Sequence, residues 1–232
     1  MIVAGAFTGA FHFIVHNPGL LATKALDQVE LSAAALGIAL AVALPLGVVL
    51  GHLHRGATLA IGASIVGRAL PSLVLIGVLL TVLGIGFTNN MVALAVLATG
   101  PILTNSYEGV DSVDRDAVDA ARGMGMTHLQ MLRRVELPLA LPLLFTGIRV
   151  AAVTVVATAP VAAVAGGGGL GDIIVNQASY RLSGVLGASL CVMALSAGVF
   201  LALLGLQIAV TPRGLRRTSL TGNLTSSGKE LQ

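Results

Sequence analysis

Asp119-Ala120-Ala121-Arg122-Gly123-Met124-Gly125-Met126-Thr127-His128-Leu129-Gln130-Met131-Leu132-Arg133-Arg134-Val135-Glu136-Leu137-Pro138 is a charged island in an apolar chain. Asp114, Asp116 and Asp119 crowd the start of a helix predicted from about Asp116 to Met124, where acids complement the positive end of the helix dipole. Gly123 and Gly125 are expected to stop it, because glycine takes the left-handed cap conformation at little cost. Thr127 then opens a second helix, and Gln130 three residues on completes a Thr-x-x-Gln capping box. Leu129, Leu132 and Val135 give that helix an apolar face, and Arg133 and Arg134 a basic one. Pro138 is expected in the first turn of the next apolar run, where its missing N–H costs nothing. The island reads as a short helical hairpin displayed for another protein to grip. A solvated connector is the alternative, since charge runs are usually solvated faces. Small Ala120 and Ala121 beside a glycine turn favour the hairpin, because they leave a smooth knob.

The rest of the chain is of another kind. Of 232 residues, 56% are hydrophobic and 10% charged, against about 25% charged in a soluble domain. Too few polar side chains remain to cover a water-facing surface, so the bilayer is the solvent. Cys191 is the single cysteine and reads as an inert small hydrophobe.

A membrane-crossing helix needs about 20 apolar residues. Five spans are predicted, over residues 31–53, 70–87, 91–107, 139–165 and 185–210, the third interrupted by Gly100-Pro101. Residues 57–67 are apolar but too short, and read as a lead-in to the second span; a sixth span there is the competing topology. Residues 1–28 read as an N-terminal interfacial segment, with Phe7, Phe11 and Ile14 on one helical face. Residues 29–212 form the membrane domain, with the polar segment at 111–138. Residues 213–232 form a basic tail of disordered composition, whose natural contact is anionic lipid.

Basic residues set the orientation. Arg55 and Arg68 flank one connection, Arg115, Arg122, Arg133 and Arg134 another, and Arg213, Arg216, Arg217 and Lys229 lie in the tail. With five spans these regions share a side, and the other side holds only Lys24 and Arg181. The N-terminus is therefore expected outside, the C-terminus and the Asp119 hairpin in the cytoplasm.

With those residues in place, Asp119-Ala120-Ala121, Gly125 and Val135-x-Leu137-Pro138 resemble the EAA loop of bacterial ABC importer permeases. Asp119 stands where that pattern has Glu, and Val135 where it has Ile. The resemblance implies an all-α membrane protein with the five-helix core of the binding-protein-dependent ABC importer permeases, in the bacterial cytoplasmic (inner) membrane. Its loop would be Asp119, Ala120, Ala121, Arg122, Gly123, Gly125, Val135, Leu137 and Pro138, seated in a cleft of a cytoplasmic ATPase. Implied partners are an ABC ATPase dimer, a second permease chain (identical or homologous), an extracytoplasmic solute-binding protein and membrane lipid. Nucleic acid is not among them. Residues 101–109, 120–127, 147–149 and 168–172 run like the osmoprotectant branch, which takes up glycine betaine, choline, carnitine or proline. A permease for another solute such as methionine is the alternative within the class; an ion-coupled carrier or membrane scaffold is the alternative outside it.

Other motifs weigh less. Gly166, Gly168 and Gly171 match G-x-G-x-x-G but lack the βαβ context of a nucleotide site. A flexible hinge or close-packed bend is expected there instead. No Walker motif exists, so ATP and its Mg would reside on a partner chain. No cofactor, metal or catalytic residue is expected here. His12 and His16 lack a third ligand. Ala33/Gly37 and Ala194/Gly198 read as helix-packing surfaces or a dimer seam. Arg149, inside the fourth span, is expected to pair with Glu108 or Asp111 or to reach the interface; a solute-carboxylate contact is the sharper alternative. Asn105, Tyr107, Arg149, Gly168, Gly169 and Gly171 are the candidates for a pathway or gate. Quaternary ammonium ions favour aromatic cages, and with no Trp and two Tyr tight recognition is better placed on a separate receptor.

Overall fold

The computed structural model describes residues 2–58, 60–62, 65 and 71–211. The tail expected over 213–232 lies outside the described residues, as do Leu59, Ala63, Ser64, Val66, Gly67 and Leu70 of the expected lead-in and second span, with Arg68 and Ala69 between them. The described elements are all helical: α1 (Ile2–His16), α2 (Pro18–His52), α3 (Ser72–Leu83), α4 (Phe87–Asp111), α5 (Arg115–Gly123), α6 (His128–Met131), a π turn (Leu132–Glu136), α7 (Leu137–Thr158), a 3-10 segment (Ala159–Ala165), α8 (Gly171–Val175) and α9 (Gln177–Val210).

Four stretches are long and apolar enough to cross a bilayer: Pro18–His52, Phe87–Asp111, His128–Ala165 and Gln177–Val210. The 12 residues of α3 reach only about 18 Å at 1.5 Å per residue. α2 is longer than its predicted span because Pro18 starts it, with φ already set for the first turn. α4 corrects the sequence expectation of an interrupted third span. Helix runs through Gly100 and Pro101, and the Pro101 carbonyl accepts from Asn105 Nδ2 at 2.8 Å.

α4 is the centre of the bundle. Ala93, Leu94, Ala98 and Ile102 are fully enclosed, and α2 and α7 pack along it. What brings α2 close is a row of small side chains four residues apart: Ala35, Ala39, Ala43, Gly47 and Gly51 are all buried. A Cβ on Gly47 would stand 2.7 Å from the Leu103 carbonyl, and one on Gly51 2.7 Å from the Tyr107 carbonyl. Lipid tails are as apolar as leucine, so close backbone contact of this kind has to supply the association. Within the chain the packing row is Ala35 to Gly51; Ala33, Gly37, Ala194 and Gly198, read from sequence as packing surfaces or a dimer seam, face outward in the single chain. Phe7, Phe11, Val42, Val82 and Leu201 are exposed as well, as a lipid-facing shell requires.

α1 does not stand alone. Its Phe13 ring lies over Gly184 and Gly187 of α9 and edge-on to Tyr180, with centroids 6.3 Å apart.

Candidate functional site

The polar island folds as two capped turns. Asp114 caps α5, its carboxylate accepting from the Asp116 N–H at 3.0 Å. α5 ends in a Schellman motif: Met126 N–H donates to the Ala121 carbonyl at 3.2 Å and Gly125 N–H to the Arg122 carbonyl at 3.0 Å. Gly125 has φ +80, the left-handed conformation this cap demands. Gly123, expected to share that task, is the last residue of α5 and stays helical. The Thr127–Gln130 capping box forms in both directions, with Thr127 N–H donating to Gln130 Oε1 at 2.9 Å and Gln130 N–H to Thr127 Oγ1 at 3.4 Å.

The second helix departs from the expected layout. It does not end before Pro138 but passes through the π turn into α7, so that His128–Ala165 forms one stretch. A proline inside a continuous helix leaves a carbonyl without its donor and crowds the preceding turn. The wider π turn, closed by Leu137 N–H donating to the Leu132 carbonyl, makes room for it. Such turns are rare and recur at functional sites.

Within the hairpin, Ala120 is exposed but Ala121 is buried beneath it, so one alanine and not two faces outward. Met131 rather than Leu129 points inward: Met131 is 2% exposed and Leu129 57%. With Met124 at 71%, the tip offers Met124, Gly125 and Leu129, an apolar spot among charges. Sequence reasoning missed Met124 and Leu129 as surface residues. Asp119 and Arg122 pair at 3.3 Å on the exposed side.

Behind the hairpin lies a cleft of about 340 Å³, lined by His54, Val113, Arg115, Asp119, Arg122 and Glu136 among others. Glu136, on the π turn, is 3% exposed and accepts from His52 Nδ1 at 2.6 Å. The His52 ring also meets His128 edge-on, centroids 5.8 Å apart. Asp111 accepts from His54 Nδ1 at 2.7 Å. The C-terminal ends of α2 and α4 thus meet the hairpin at one point.

The glycine segment sits at the other end of α2. It is a close-packed bend. A Cβ on Gly171 would run into the Pro160 carbonyl, and one on Gly169 would stand 3.1 Å from Gln28 Cβ. Gly166, Gly168 and Gly169 all have positive φ. Lys24 of α2 pairs with Asp172 of α8 at 2.5 Å beside a second cleft of about 340 Å³ that Asn176 and Tyr180 also line.

The remaining candidates lie between helices. Asn105 packs on Gly147, and buried Tyr107 packs on Gly47 and Gly51 through its backbone. Arg149 meets neither Glu108 nor Asp111. Its Nη1 donates to Gln207 Oε1 at 2.9 Å and its guanidinium lies 5.0 Å from the Phe200 ring centroid. α9 lies nearer than the acids of α4, and Asp111 is already held by His54.

The family described as binding-protein-dependent transport system inner membrane component matches residues 43–216, which includes the hairpin, its π turn and the glycine bend. The chain belongs to that family. It is a multi-pass inner-membrane transport subunit of the ABC importer permease type. The chain is similar to the choline transport system permease protein OpuBB of Bacillus subtilis, 34% identical over 88% of this chain and 95% of the relative. It is similar to the carnitine transport permease protein OpuCB of Listeria monocytogenes, 39% identical over 81% and 86%. The osmoprotectant import permease protein OsmW of Salmonella typhimurium is 36% identical over 88% and 98%. Among solved structures, the inward-facing MetNI methionine ABC transporter shares the fold, with a TM-score of 0.72 and 23% identity over 83% of this chain and 97% of that one.

Proposed function

We propose that this permease carries osmoprotectants (glycine betaine, choline, carnitine or proline) and is driven through its Asp119 hairpin by a separate ATPase. The observation that carries the coupling role is the hairpin tip. Two caps hold it rigidly, and it sets exposed Met124 and Leu129 around a left-handed Gly125. An apolar spot outside the bilayer, rimmed by charge, has the character of a protein-docking surface. The solute class is supported by the osmolyte names carried by relatives at 34–39% identity over most of the chain.

The N-terminus lies outside and the C-terminus in the cytoplasm, in accord with the distribution of Arg and Lys. Two permease chains pair around the path, and an ATPase dimer, carrying ATP and Mg, clamps the two hairpins from the cytoplasm. Asp119, Ala120, Arg122, Gly123 and Gly125 form the gripped face. Ala121, Val135, Leu137 and Pro138 join it to α7. Closure of the ATPases draws the hairpins together and rocks the helices from inward- to outward-facing, which requires the two conformations to bind the ATPases differently. A solute receptor docks near residues 166–180, where Gly168, Gly169 and Gly171 shape the outer bend.

The test is reconstitution in proteoliposomes with the ATPase and receptor, following ATP-dependent uptake of labelled glycine betaine. Uptake competed by choline, carnitine or proline and not by methionine is the expected result. Competition by methionine alone would overturn the solute assignment.

A further inference from the structure

The buried acid at the root of the hairpin has no part in the docking surface. Glu136 is 3% exposed, and among the described residues its partner is His52, the last residue of α2. A carboxylate taken out of water is costly unless it is held in a directed contact. His52 does not reach Glu136 alone: its ring also rests edge-on against His128, the first residue of α6. One imidazole from α2 thus touches the hairpin's second helix at its start and at its π turn. No comparable polar bond joins α5 to α2 among the described residues.

We infer that the His52–Glu136 pair is the joint through which hairpin movement enters α2. This rests on the coupling role of the hairpin proposed above. The geometry says why a joint belongs there. The π turn is the irregular point of the His128–Ala165 stretch nearest the hairpin tip, so tilting of the hairpin is absorbed beside Glu136 unless something carries it elsewhere. His52 supplies that path. α2 then runs as one helix, through Pro45, from His52 to Lys24, about 42 Å at 1.5 Å per residue. Along the way it is seated on α4 by Gly47 and Gly51 and ends against the glycine bend through the Lys24–Asp172 pair and the Gln28–Gly169 contact. His52 and Glu136 are positioning residues: they act by keeping the hairpin and α2 in register.

The experiment compares solute taken up per ATP hydrolysed in proteoliposomes holding the full complex. The variants are His52→Leu, Glu136→Gln, and the exchanged double His52→Glu/Glu136→His. Each single is expected to lower uptake per ATP at least tenfold, with complex yield and ATP hydrolysis within twofold of the parent. The exchange, which restores the imidazole–carboxylate contact, is expected to recover the ratio to within threefold. Singles that keep the parental ratio overturn the inference. So does a loss that follows complex yield, or an exchange that recovers nothing. Gly125→Val in the same vesicles separates two failures. If it also transports normally, the hairpin reading falls and the joint falls with it. If it uncouples while the His52 and Glu136 variants do not, the joint alone falls.

Discussion

Gly147 of α7 lies against Asn105 of α4 so closely that a Cβ on the glycine would stand 2.6 Å from Asn105 Cβ and 2.9 Å from the Pro101 carbonyl. Neither neighbour can yield, since one is held at its own backbone and the other is backbone. Gly147→Ala should therefore force α4 and α7 apart. Overpacking costs about 1–3 kcal/mol, enough to outweigh the ~1 kcal/mol that alanine gains over glycine in a helix. The control is Gly37→Ala in α2, where a Cβ meets nothing within 4 Å. The melting temperature of detergent-solubilised protein should fall for Gly147→Ala and hold or rise for Gly37→Ala. Equal behaviour would remove the close crossing from the account of the bundle.

Gly125 offers a way to separate backbone from surface. Its φ of +80 suits glycine, and a Cβ there meets nothing within 4 Å. Gly125→Val should strain the cap by about 1–2 kcal/mol and also spoil the tip. Asn tolerates the left-handed region, so Gly125→Asn should keep the fold. Its side chain nevertheless adds polar bulk next to Met124, at the tip where the ATPase is proposed to grip. The expected result is a melting temperature near the parent for Gly125→Asn, with ATPase co-purification reduced at least fivefold. Full co-purification would show that the tip is not the gripped face.

These two glycines mark where the sequence was legible. The hairpin caps were readable because each signal is local. Asp114 acts two residues on, Thr127 and Gln130 act on each other, and Gly125 acts on its own turn. Four long apolar stretches were readable because apolar length needs no partner; the second expected span is described only as the 12-residue α3. Contacts between spans were not readable. With 29 glycines in the chain, small residues recur at helical spacing on several faces, and spacing alone pointed to Ala33/Gly37 rather than the Ala35–Gly51 row. The π turn was hidden because Leu137-Pro138 carries the same signal whether it opens a helix or sits inside one. Leu129, expected on the apolar face, is exposed, and Met131 is buried in its place.

The glycine bend gives a prediction at the opposite end of α2. A Cβ on Gly171 would collide with the Pro160 carbonyl and stand 2.7 Å from Ala163 Cβ. Gly171→Ala must open the turn between the 3-10 segment and α8 and shift Asp172 away from Lys24. Gly168, with no neighbour within 4 Å of a Cβ, is the comparison, since its substitution strains only its own φ of +70. Gly168→Asn should retain uptake within twofold, and Gly171→Ala should reduce it at least tenfold while leaving ATPase co-purification intact. Loss of ATPase co-purification in Gly171→Ala would mean that the damage is global rather than confined to the bend.

Arg149 tests whether an intramembrane charge serves transport or architecture. Its guanidinium donates to Gln207 Oε1 at 2.9 Å, lies over Phe200, and is steadied by Gln207 Nε2 donating to the Pro142 carbonyl at 3.3 Å. The set ties α7 to α9. Arg149→Lys keeps the charge but loses the planar group that both bonds and stacks. Removal of such a stack costs about 0.5–2 kcal/mol. The melting temperature should fall, and the solute concentration for half-maximal uptake should stay within twofold of the parent. A variant that melts like the parent but needs tenfold more solute would place Arg149 on the solute's path instead. Gln207→Leu decides between the two from the other side: it removes the acceptor without touching the charge, and should reproduce the loss of stability if Arg149 is a tie between helices.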